Sequence, residues 1–577
     1  MASEPMSSFV GSRRIVPSAW DAAAFAIVLA LFAMIAAAAQ QMMGPLSALD
    51  VSPVSLDPAA LPEYALRTTV RMLAALAVAL VFTFVYAAIA AKSRRAELIL
   101  IPILDMLQSV PILGFISLTI VAFMALAPGR VLGAELAAIF AIFTSQAWNM
   151  TFSLYQSLRT LPEDLDEAAR SLRLSSWLRF WKVEVPFAMP GLIWNMMMSM
   201  SGGWFFVVAA EAITVGNTTI TLPGIGSYIA LAIEQRNLAA VGWAILTMLV
   251  VIIVYDQCLF RPLVAWADRF RFEQTPGETA PQSWFLTMLR RSRLVRVGLW
   301  PARRAIAWSF RRAPSARFES DGWLARWASS RAADGAWLAL IGVAAVLAAA
   351  RVFAFVSTTL SLPDVFEAFG LGLLTLVRVV VLIALASLVW VPVGVFVGLR
   401  PAWARTIQPV AQFLAAFPAN LLFPVAVVAI VHFRLNADVW LSPLMVFGTQ
   451  WYILFNIIAG ASVLPADLRD TATNLRVRGW LWWKKVALPG VFPYYLTGAI
   501  TASGGSWNAS IVAELVSWGD QRLVARGIGS YIAEATVAGD QPRVVLGIAV
   551  MSVLVIVLNR VLWRPLFRYG ERRFRLA

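Results

Sequence analysis

Apolar stretches of about 20 residues recur about a dozen times along the 577-residue sequence. A stretch of this length spans the hydrocarbon core of a bilayer as a helix, and isolated strands cannot satisfy their backbone hydrogen bonds there. The sequence therefore predicts an all-α, polytopic membrane protein with about 12 transmembrane helices. We predict these spans at residues 20–42, 66–91, 98–127, 133–157, 189–212 and 237–260, and again at 336–357, 371–399, 406–433, 438–463, 491–515 and 543–563.

The composition agrees with a membrane protein, because 60% of the residues are hydrophobic and 14% are charged. Soluble domains have about 45–50% apolar and about 25% charged residues. The net charge of +15 lies mostly in short segments between the spans, which fits cytoplasmic loops better than nucleic-acid binding. We therefore expect no nucleic-acid partner.

The distribution of Lys and Arg predicts the orientation in the membrane. Basic residues follow the second, fourth and sixth spans, whereas segment 43–65 has acidic residues and no basic one. Cytoplasmic loops are enriched in Lys and Arg, so we expect both termini to be cytoplasmic, in a bacterial inner membrane. The stretch from Trp20 to Ala39 is long for the apolar part of a signal peptide, and we interpret it as the first span.

The second half of the sequence repeats the first. At an offset of 303 positions, residues 224–230 are identical to residues 527–533, and matched Trp, Glu and Pro residues accompany them. Earlier in the chain the offset is 307, so that Arg71 aligns with Arg378. Each copy has an even number of spans, which predicts a parallel repeat with both copies in the same orientation.

These boundaries divide the chain into two membrane units and a connection. The Arg-rich connection is either attached to the lipid surface through its aromatic and basic residues or is a flexible tether. The predicted parts are a cytoplasmic N-terminal tail (1–19), a first six-helix unit (20–271), a cytoplasmic linker (272–335) and a second six-helix unit (336–577).

Two cytoplasmic segments between the fourth and fifth spans, residues 160–188 and 463–491, share one pattern. Each begins with Leu-Pro, continues through acidic and small residues to an Arg, and reaches a second proline near its end. Acidic residues suit the N-terminal turn of a short helix, and small residues give it a compact apolar face. Such an exposed helix can dock into a groove on a partner.

The first segment resembles the EAA loop of ABC-importer permeases, in which Glu-Ala-Ala is followed by Gly and later by Leu-Pro. The second copy has Asp-Thr-Ala in place of the triplet, and both copies have Arg where the family usually has Gly. The residues that this resemblance assigns to ATPase coupling are Glu167, Ala168, Ala169, Arg173, Asp470, Ala472 and Arg476.

The wider resemblance, over both units, is to nitrate/sulfonate/taurine-type permeases and especially to their duplicated, fused anion-type members. It implies the type I ABC-importer permease fold, two ATP-binding-cassette ATPase subunits, a periplasmic solute-binding protein and a small anion as substrate. The sequence has no P-loop of the form GxxxxGK[ST]. The resemblance therefore implies that ATP and Mg bind to the partner subunits, and that this chain is not an enzyme and holds no cofactor.

Polar residues inside apolar spans are costly, and they are candidates for contact with the transported solute. For the arginines, attraction of an entering anion and an ion pair with the glutamates are alternatives, and the ion pair is favoured. For the other residues the alternative is helix–helix contact. The candidates are Arg71, Arg378, Asn195, Trp204, Glu211, Trp507, Asn508 and Glu514.

Two other classes of protein are less consistent with the sequence. A secondary carrier with two parallel six-helix halves needs ionisable residues at mid-membrane, of which there are few, and it gives the repeated loop no role. A membrane enzyme needs a clustered catalytic set, whereas the chain has one cysteine, Cys258, and one histidine, His432. We therefore expect no catalytic residue and no metal site.

Overall fold

A computed structural model describes residues 45, 54–109, 119–120, 122–215, 218–270, 283–292, 300–311, 331–462, 464 and 466–573. The predicted tail 1–19, the predicted first span 20–42 and part of the third span lie outside these described residues.

The first copy is built from helices and one β-hairpin. Its helices are α1 (Leu61–Lys92), α2 (Arg94–Ser109), α3 (Val131–Arg159), α4 (Glu163–Ser171), α5 (Ser176–Arg179), α6 (Val185–Glu211), α7 (Ile225–Glu234), α8 (Leu238–Tyr255) and α9 (Arg261–Ala267). Strands β1 (Ala212–Val215) and β2 (Thr218–Thr221) pair antiparallel, with Ala212 opposite Thr221. Two further helices lie in the linker, α10 (Trp284–Arg291) and α11 (Trp300–Arg311).

The second copy begins with α12 (Arg331–Val356), at the predicted span 336–357, and its later helices and hairpin follow the order of the first copy. Its strands β3 (Leu515–Trp518) and β4 (Gln521–Val524) form the same antiparallel hairpin. The remaining helices are α13 (Leu362–Gly398), α14 (Pro401–Ala416), α15 (Phe423–His432), α16 (Ala437–Trp440), α17 (Leu444–Phe447), α18 (Gln450–Ser462), α19 (Ala466–Asn474), α20 (Gly479–Trp482), α21 (Leu488–Ala513), α22 (Ile528–Ala538), α23 (Gln541–Leu558) and α24 (Arg564–Arg573).

Six helical stretches among the described residues are long and apolar enough to cross a bilayer. They are Pro58–Lys92, Val131–Arg159, Ser176–Glu211, Leu238–Phe270, Leu362–Gly398 and Gln541–Gly570, and a bent pair, Ala437–Phe447 with Gln450–Ser462, makes a seventh if it counts as one span. The predicted fold class, a helical polytopic membrane protein with two repeats, is confirmed.

Two matched helices, α8 and α23, begin at side chains that cap free N–H groups. The Asn237 side chain accepts from the Ala240 amide at 3.0 Å at the start of α8, and Asp540 accepts from the Arg543 amide at 3.1 Å at the start of α23. These two caps are 303 positions apart, so the repeat extends to local hydrogen bonding. In both copies one helix lies between two others: α3 packs between α1 and α6, and α18 packs between α13 and α21.

Two predicted spans of the second copy are not continuous helices. The span 406–433 is interrupted at Phe417, which is extended because the ring of Pro418 disfavours a helical residue before it. The span 438–463 is interrupted between α17 and α18, and the stretch Ala437–Phe447 is bent by 42° relative to Gln450–Ser462. Gly448 lies at this break, and glycine is a weak helix former.

The predicted loops 160–188 and 463–491 are partly helical, and the fifth span begins earlier than predicted in both copies. Short π-helical turns, Phe180–Glu184 and Trp483–Ala487, connect α5 to α6 and α20 to α21. Pro186 and Pro489 follow these turns without ending the helix. The wider π turn relieves the clash between a proline ring and the preceding carbonyl group.

The two copies touch through helices and hairpins. Helix α6 contacts α14, strand β1 contacts α22, and strand β3 contacts α7. At the last contact the Gly519 amide donates to the Ile233 carbonyl at 2.9 Å, and Arg236 Nη2 lies 2.6 Å from Asp520 Oδ2.

Candidate functional site

A buried ion-pair cluster joins α1, α3 and α6 in the first copy. Arg71 donates from Nε and Nη2 to the two carboxylate oxygens of Glu135, at 2.6 and 2.7 Å. Arg71 Nη1 donates to Glu211 Oε1 at 2.7 Å and to the Pro223 carbonyl at 3.0 Å. Thr68 Oγ1 donates to the same Glu211 oxygen at 2.7 Å. The side chains of Arg71 and Glu211 are fully buried, so each charge depends on its partners.

The second copy has a looser version of this cluster. Arg378 Nη1 donates to Glu514 Oε1 at 3.1 Å and to the Arg526 carbonyl at 2.8 Å, and Nη2 donates to Asp438 Oδ1 at 3.2 Å. Thr375 Oγ1 donates to Glu514 at 2.8 Å. The Arg378 side chain is 16% exposed, whereas that of Arg71 is 0% exposed. Of the two alternatives for the arginines, the ion pair is the geometry found in both copies.

The third member of each cluster was missed by the sequence prediction. Glu135 and Asp438 are acidic residues inside predicted spans. They are 303 positions apart, so extending the repeat toward the N-terminus pairs them. Their matched positions in the repeat are the sequence signal that could have identified them.

The glycines of the repeated segment 224–230 let α7 approach the buried carboxylate. A Cβ atom on Gly224 would lie 2.3 Å from the carboxyl carbon of Glu211, and one on Gly226 would lie 2.2 Å from the Val208 carbonyl oxygen. The Gly226 amide donates to Glu211 Oε2 at 2.7 Å. Glu211 therefore caps the N-terminus of α7, where free N–H groups favour an anion.

The equivalent contacts repeat in the second copy. A Cβ atom on Gly527 would lie 2.2 Å from Glu514 Oε2, and the Gly529 amide donates to that oxygen at 2.8 Å. The identical segments 224–230 and 527–533 thus preserve one structural contact in both copies.

Substitution of Gly224 by alanine is expected to destabilise the protein by about 1–3 kcal/mol, because the Cβ atom cannot fit beside the Glu211 carboxylate. Gly242→Ala in α8 is the control, since nothing lies within 4 Å of a Cβ atom there. This control is expected to be neutral or to stabilise by about 0.5–1 kcal/mol. Thermal unfolding of both variants in detergent measures the difference, and equal midpoints would contradict the prediction.

A cavity of about 150 Å³ lies between the two copies. Among its described lining residues there is no Asp, Glu, Lys, Arg or His. The Ser199 hydroxyl is buried in its wall and has no hydrogen-bond partner among the described residues. The polar side chains that line the cavity come from both copies and are Ser145, Asn149, Ser199, Ser201, Thr449, Tyr452, Thr501 and Asn508.

Contacts between the copies close the wall of this cavity. The Ser201 hydroxyl donates to the Ala415 carbonyl. Asn420 Nδ2 donates to the Phe205 carbonyl at 3.2 Å. The cavity is therefore a feature of the pair and belongs to neither copy alone.

The other candidates from the sequence lie in different surroundings. Asn508 lines the cavity. Asn195 instead donates to Ser153 Oγ at 3.0 Å, which holds α6 against α3. Trp204 and Trp507 are each 1% exposed, within the core. The structure thus brings Asn508 to the cavity and places the ion pairs and the tryptophans away from its lining.

The segments assigned to ATPase coupling form the short helices α4 and α19. Glu167, Ala168 and Asp470 are exposed, whereas Ala169 and Ala472 are buried. Beside them Leu172 and Leu475 are each 72% exposed, which leaves an apolar side chain on the same surface in both copies.

Arg173 and Arg476 end these helices in the left-handed conformation, with φ of 47° and 54°. In the first copy the Leu174 amide donates to the Ala169 carbonyl at 3.1 Å, the bond that typifies a glycine-ended helix. The geometry that usually requires glycine is therefore kept with arginine, at a cost of about 1–2 kcal/mol per residue.

Ion pairs connect α4 of the first copy to the membrane helices. Arg179 Nη2 lies 2.6 Å from Asp166 Oδ1, and Arg179 Nε lies 3.0 Å from Glu184 Oε1. Lys92 Nζ, at the end of α1, lies 3.2 Å from Glu184 Oε2. We call Asp166, Arg179, Glu184 and Lys92 the ion-pair ladder.

The second copy has no residues that can form this ladder. The matching positions hold Arg469, Trp482, Ala487 and Leu399, with no acidic residue among them. The ion-pair ladder around α4 therefore cannot recur at the matching positions around α19.

Comparisons with known proteins agree with the duplication. The family described as "Binding-protein-dependent transport system inner membrane component" matches residues 84–259 and 390–564, more than half of the chain. The match occurs once in each copy, and it confirms the resemblance to duplicated ABC permeases.

Individual relatives are similar over about a third of the chain. The bicarbonate transport system permease protein CmpB of Synechococcus elongatus is 30% identical over 186 residues, 32% of this chain and 64% of that protein. The nitrate import permease protein NrtB of Leptolyngbya laminosa is 27% identical over 185 residues, 32% and 63% of the two chains. The taurine transport system permease protein TauC of Escherichia coli is 26% identical over 188 residues, 32% of this chain and 64% of that protein.

The chain covers slightly less than two thirds of the length of these relatives. The family match, by contrast, extends over both copies and includes the cavity-lining helices and the short helices α4 and α19. The chain belongs to the family of binding-protein-dependent transport system inner membrane components, and it contains the membrane unit of that family twice.

Proposed function

We propose that the chain is the permease of an ATP-binding-cassette importer and that its two copies together form the pathway for a small anion. The observation that carries this proposal is the cavity of about 150 Å³ whose polar lining comes from both copies. A pathway at the junction of two membrane units can open and close when the units move relative to each other.

The chemistry of the cavity suits transient passage of an oxyanion. Hydroxyl and amide groups can donate hydrogen bonds to anionic oxygens, and Ser199 has a hydroxyl without a partner among the described residues. Desolvation of the anion costs several kcal/mol, and the described lining residues include no cationic side chain that would offset this cost. Binding is therefore weak, and weak binding permits release.

The relatives support a small oxyanion as the substrate class. Their names specify bicarbonate, nitrate and taurine. Bicarbonate and nitrate are compact oxyanions, and taurine carries a sulfonate group. We propose a substrate of this class for the present chain, delivered by a periplasmic solute-binding protein.

The exposed helices α4 and α19 are the proposed docking elements for two ATP-binding-cassette ATPase subunits. Their exposed carboxylates, Glu167 and Asp470, and the exposed leucines beside them offer charge and apolar contact to a groove. ATP and Mg would bind to those subunits, so this chain transmits motion and performs no chemistry. The proposal places the docking helices and both termini on the cytoplasmic side of the inner membrane.

Reconstitution tests this function. The full chain is placed in liposomes with its ATPase and solute-binding partners, and uptake of labelled bicarbonate, nitrate and taurine is measured. We expect accumulation of one of these anions that requires ATP and stops when the ATPase is inactivated. Uptake driven by an ion gradient without the ATPase subunits would instead establish a secondary carrier.

Gly504→Leu is expected to block uptake while the protein remains folded. Gly504 lines the cavity, and nothing lies within 4 Å of a Cβ atom built on it, so a leucine side chain starts in open space and extends into the cavity. We expect at least about a tenfold loss of transport rate, because the side chain fills much of the passage and excludes the ion.

The matched control is Gly242→Leu, where the added side chain also meets open space but lies outside the cavity lining. Uptake should be normal in this control. Normal uptake by Gly504→Leu would remove the cavity from the pathway.

A further inference from the structure

A groove of about 780 Å³ opens on the second copy between α13, the start of α21 and α24. Its wall is mostly apolar and aromatic, and one cationic side chain, Lys484, lines it. Ser387 and Tyr495 lie together in the wall, with their hydroxyl oxygens 3.1 Å apart. The groove therefore combines an apolar wall with a positive charge.

The rim of the groove is apolar surface. Leu388 is 74% exposed and Trp480 is 73% exposed. Both line the groove, and both belong to helices that lead into the membrane core. Exposed apolar residues of a membrane-spanning helix face lipid, and tryptophan is enriched at the membrane interface.

At two positions that line the groove in the second copy, the first copy has aromatic side chains. Val391 aligns with Phe84 at the offset of 307, and Lys484 aligns with Trp181 at the offset of 303. The rings of Phe84 and Trp181 pack together with centroids 5.5 Å apart. Trp181 also contacts Phe180, at 5.1 Å. In the first copy the region between these helices is thus occupied by the protein's own rings.

We propose that this groove binds one anionic phospholipid of the cytoplasmic leaflet, with an acyl chain against Val391 and the phosphate beside Lys484. Lys484 precedes the membrane part of α21, so its ammonium group can reach the headgroup region while its stem covers apolar wall. Basic pockets between membrane helices on this side bind anionic headgroups. The inference rests on the orientation given with the proposed function, and its test uses no transport measurement.

A pair of reciprocal variants tests the inference. Val391→Phe with Lys484→Trp gives the second copy the residues of the first, and Phe84→Val with Trp181→Lys does the reverse. The full chain, purified in detergent, is titrated with phosphatidylglycerol and with phosphatidylcholine of equal chain length. Native mass spectrometry counts the bound lipids, and thermal unfolding verifies that each variant is folded.

We expect one tightly bound phosphatidylglycerol on the native protein. The filled variant should bind it more than about tenfold more weakly, because exclusion of even two methylene groups has that effect. The opened variant should bind a second molecule. Lys484→Gln should bind both lipids but lose a preference of about fivefold for phosphatidylglycerol.

Equal binding by the native protein and the filled variant would overturn the proposal, and so would equal affinity of the native protein for the two lipids. Occupation of the groove by a segment of this chain would exclude lipid from the native protein as well as from the filled variant. The two proteins would then bind phosphatidylglycerol equally, which also overturns the proposal.

Discussion

Replacement of Arg71 by methionine is expected to prevent the first copy from folding stably. The substitution keeps most of the volume but leaves Glu135 and Glu211 buried without a counter-charge. Removing one partner of a buried ion pair costs about 3–5 kcal/mol, a large fraction of the roughly 5–15 kcal/mol that stabilises a typical protein. The measurements are the amount of full-length protein in the membrane fraction and its unfolding midpoint in detergent.

Arg378→Met provides the matched control in the second copy. Its ion pairs are longer, at 3.1 and 3.2 Å, and the side chain of Asp438 is 32% exposed. Water can solvate the Asp438 carboxylate when the arginine is lost, and the buried Glu514 keeps its hydrogen bonds from Thr375 and the Gly529 amide. We therefore expect a cost of about 1–3 kcal/mol. Neutralising Glu135 and Glu211 as glutamines should restore part of the stability of Arg71→Met. Equal destabilisation by the two arginine substitutions would contradict the assignment of the tighter cluster to the first copy.

The double substitution Glu167→Lys with Asp470→Lys is expected to abolish ATP-dependent uptake. Both side chains are exposed on short helices, so reversal of their charge leaves the fold intact. Reversal at a docking surface places like charges together, which costs several kcal/mol of association and corresponds to a loss of more than about a hundredfold in affinity. Uptake and co-purification of the ATPase subunits measure the effect.

The neutral pair Glu167→Gln with Asp470→Asn separates charge from shape. We expect it to keep most of the uptake, because both substitutions are nearly isosteric. Of the single charge reversals, Glu167→Lys should be the more severe, since the ion-pair ladder ties its helix to α1 and α6. Full uptake by the double lysine variant would remove α4 and α19 from the coupling role.

The repeat and the membrane class followed from the sequence, because apolar length and a constant offset are visible in the order of the residues and need no knowledge of contacts between helices. The pairing of the arginines with Glu211 and Glu514 was also predicted, since few charged residues are available at that depth. Glu135 and Asp438 were missed because the sequence of one span does not show which residue of another helix it contacts.

Local exceptions to helix formation were harder to predict. The breaks at Phe417 and Gly448 lie in apolar runs, and hydrophobicity alone does not distinguish a straight helix from a broken one. The hairpins follow α6 and α21, and the predicted fifth spans, 189–212 and 491–515, end at the first residue of each hairpin. The strands themselves were not predicted. In the first copy the indication is a run of β-branched residues, Thr218–Thr221, which a prediction based on apolar length overlooks.

The cavity could not be predicted from local pattern. Its walls combine residues from Ser145 to Ala509, and its chemistry arises only when the copies meet. Serine and asparagine in an apolar helix serve equally well for helix contact, as Asn195 does, or for a polar surface, as Asn508 does.

The contact between Arg236 and Asp520 occurs in one direction only. The positions that correspond to them in the opposite copies are Gly539 and Asn217, which cannot form an ion pair. A symmetric homodimer must make every contact twice, so a change in its gene alters both sides at once. Synthesis as a single polypeptide guarantees equal numbers of the two sides and keeps each next to its proper partner. Each side is then free to specialise, and a substitution in one is inherited without a matching change in the other.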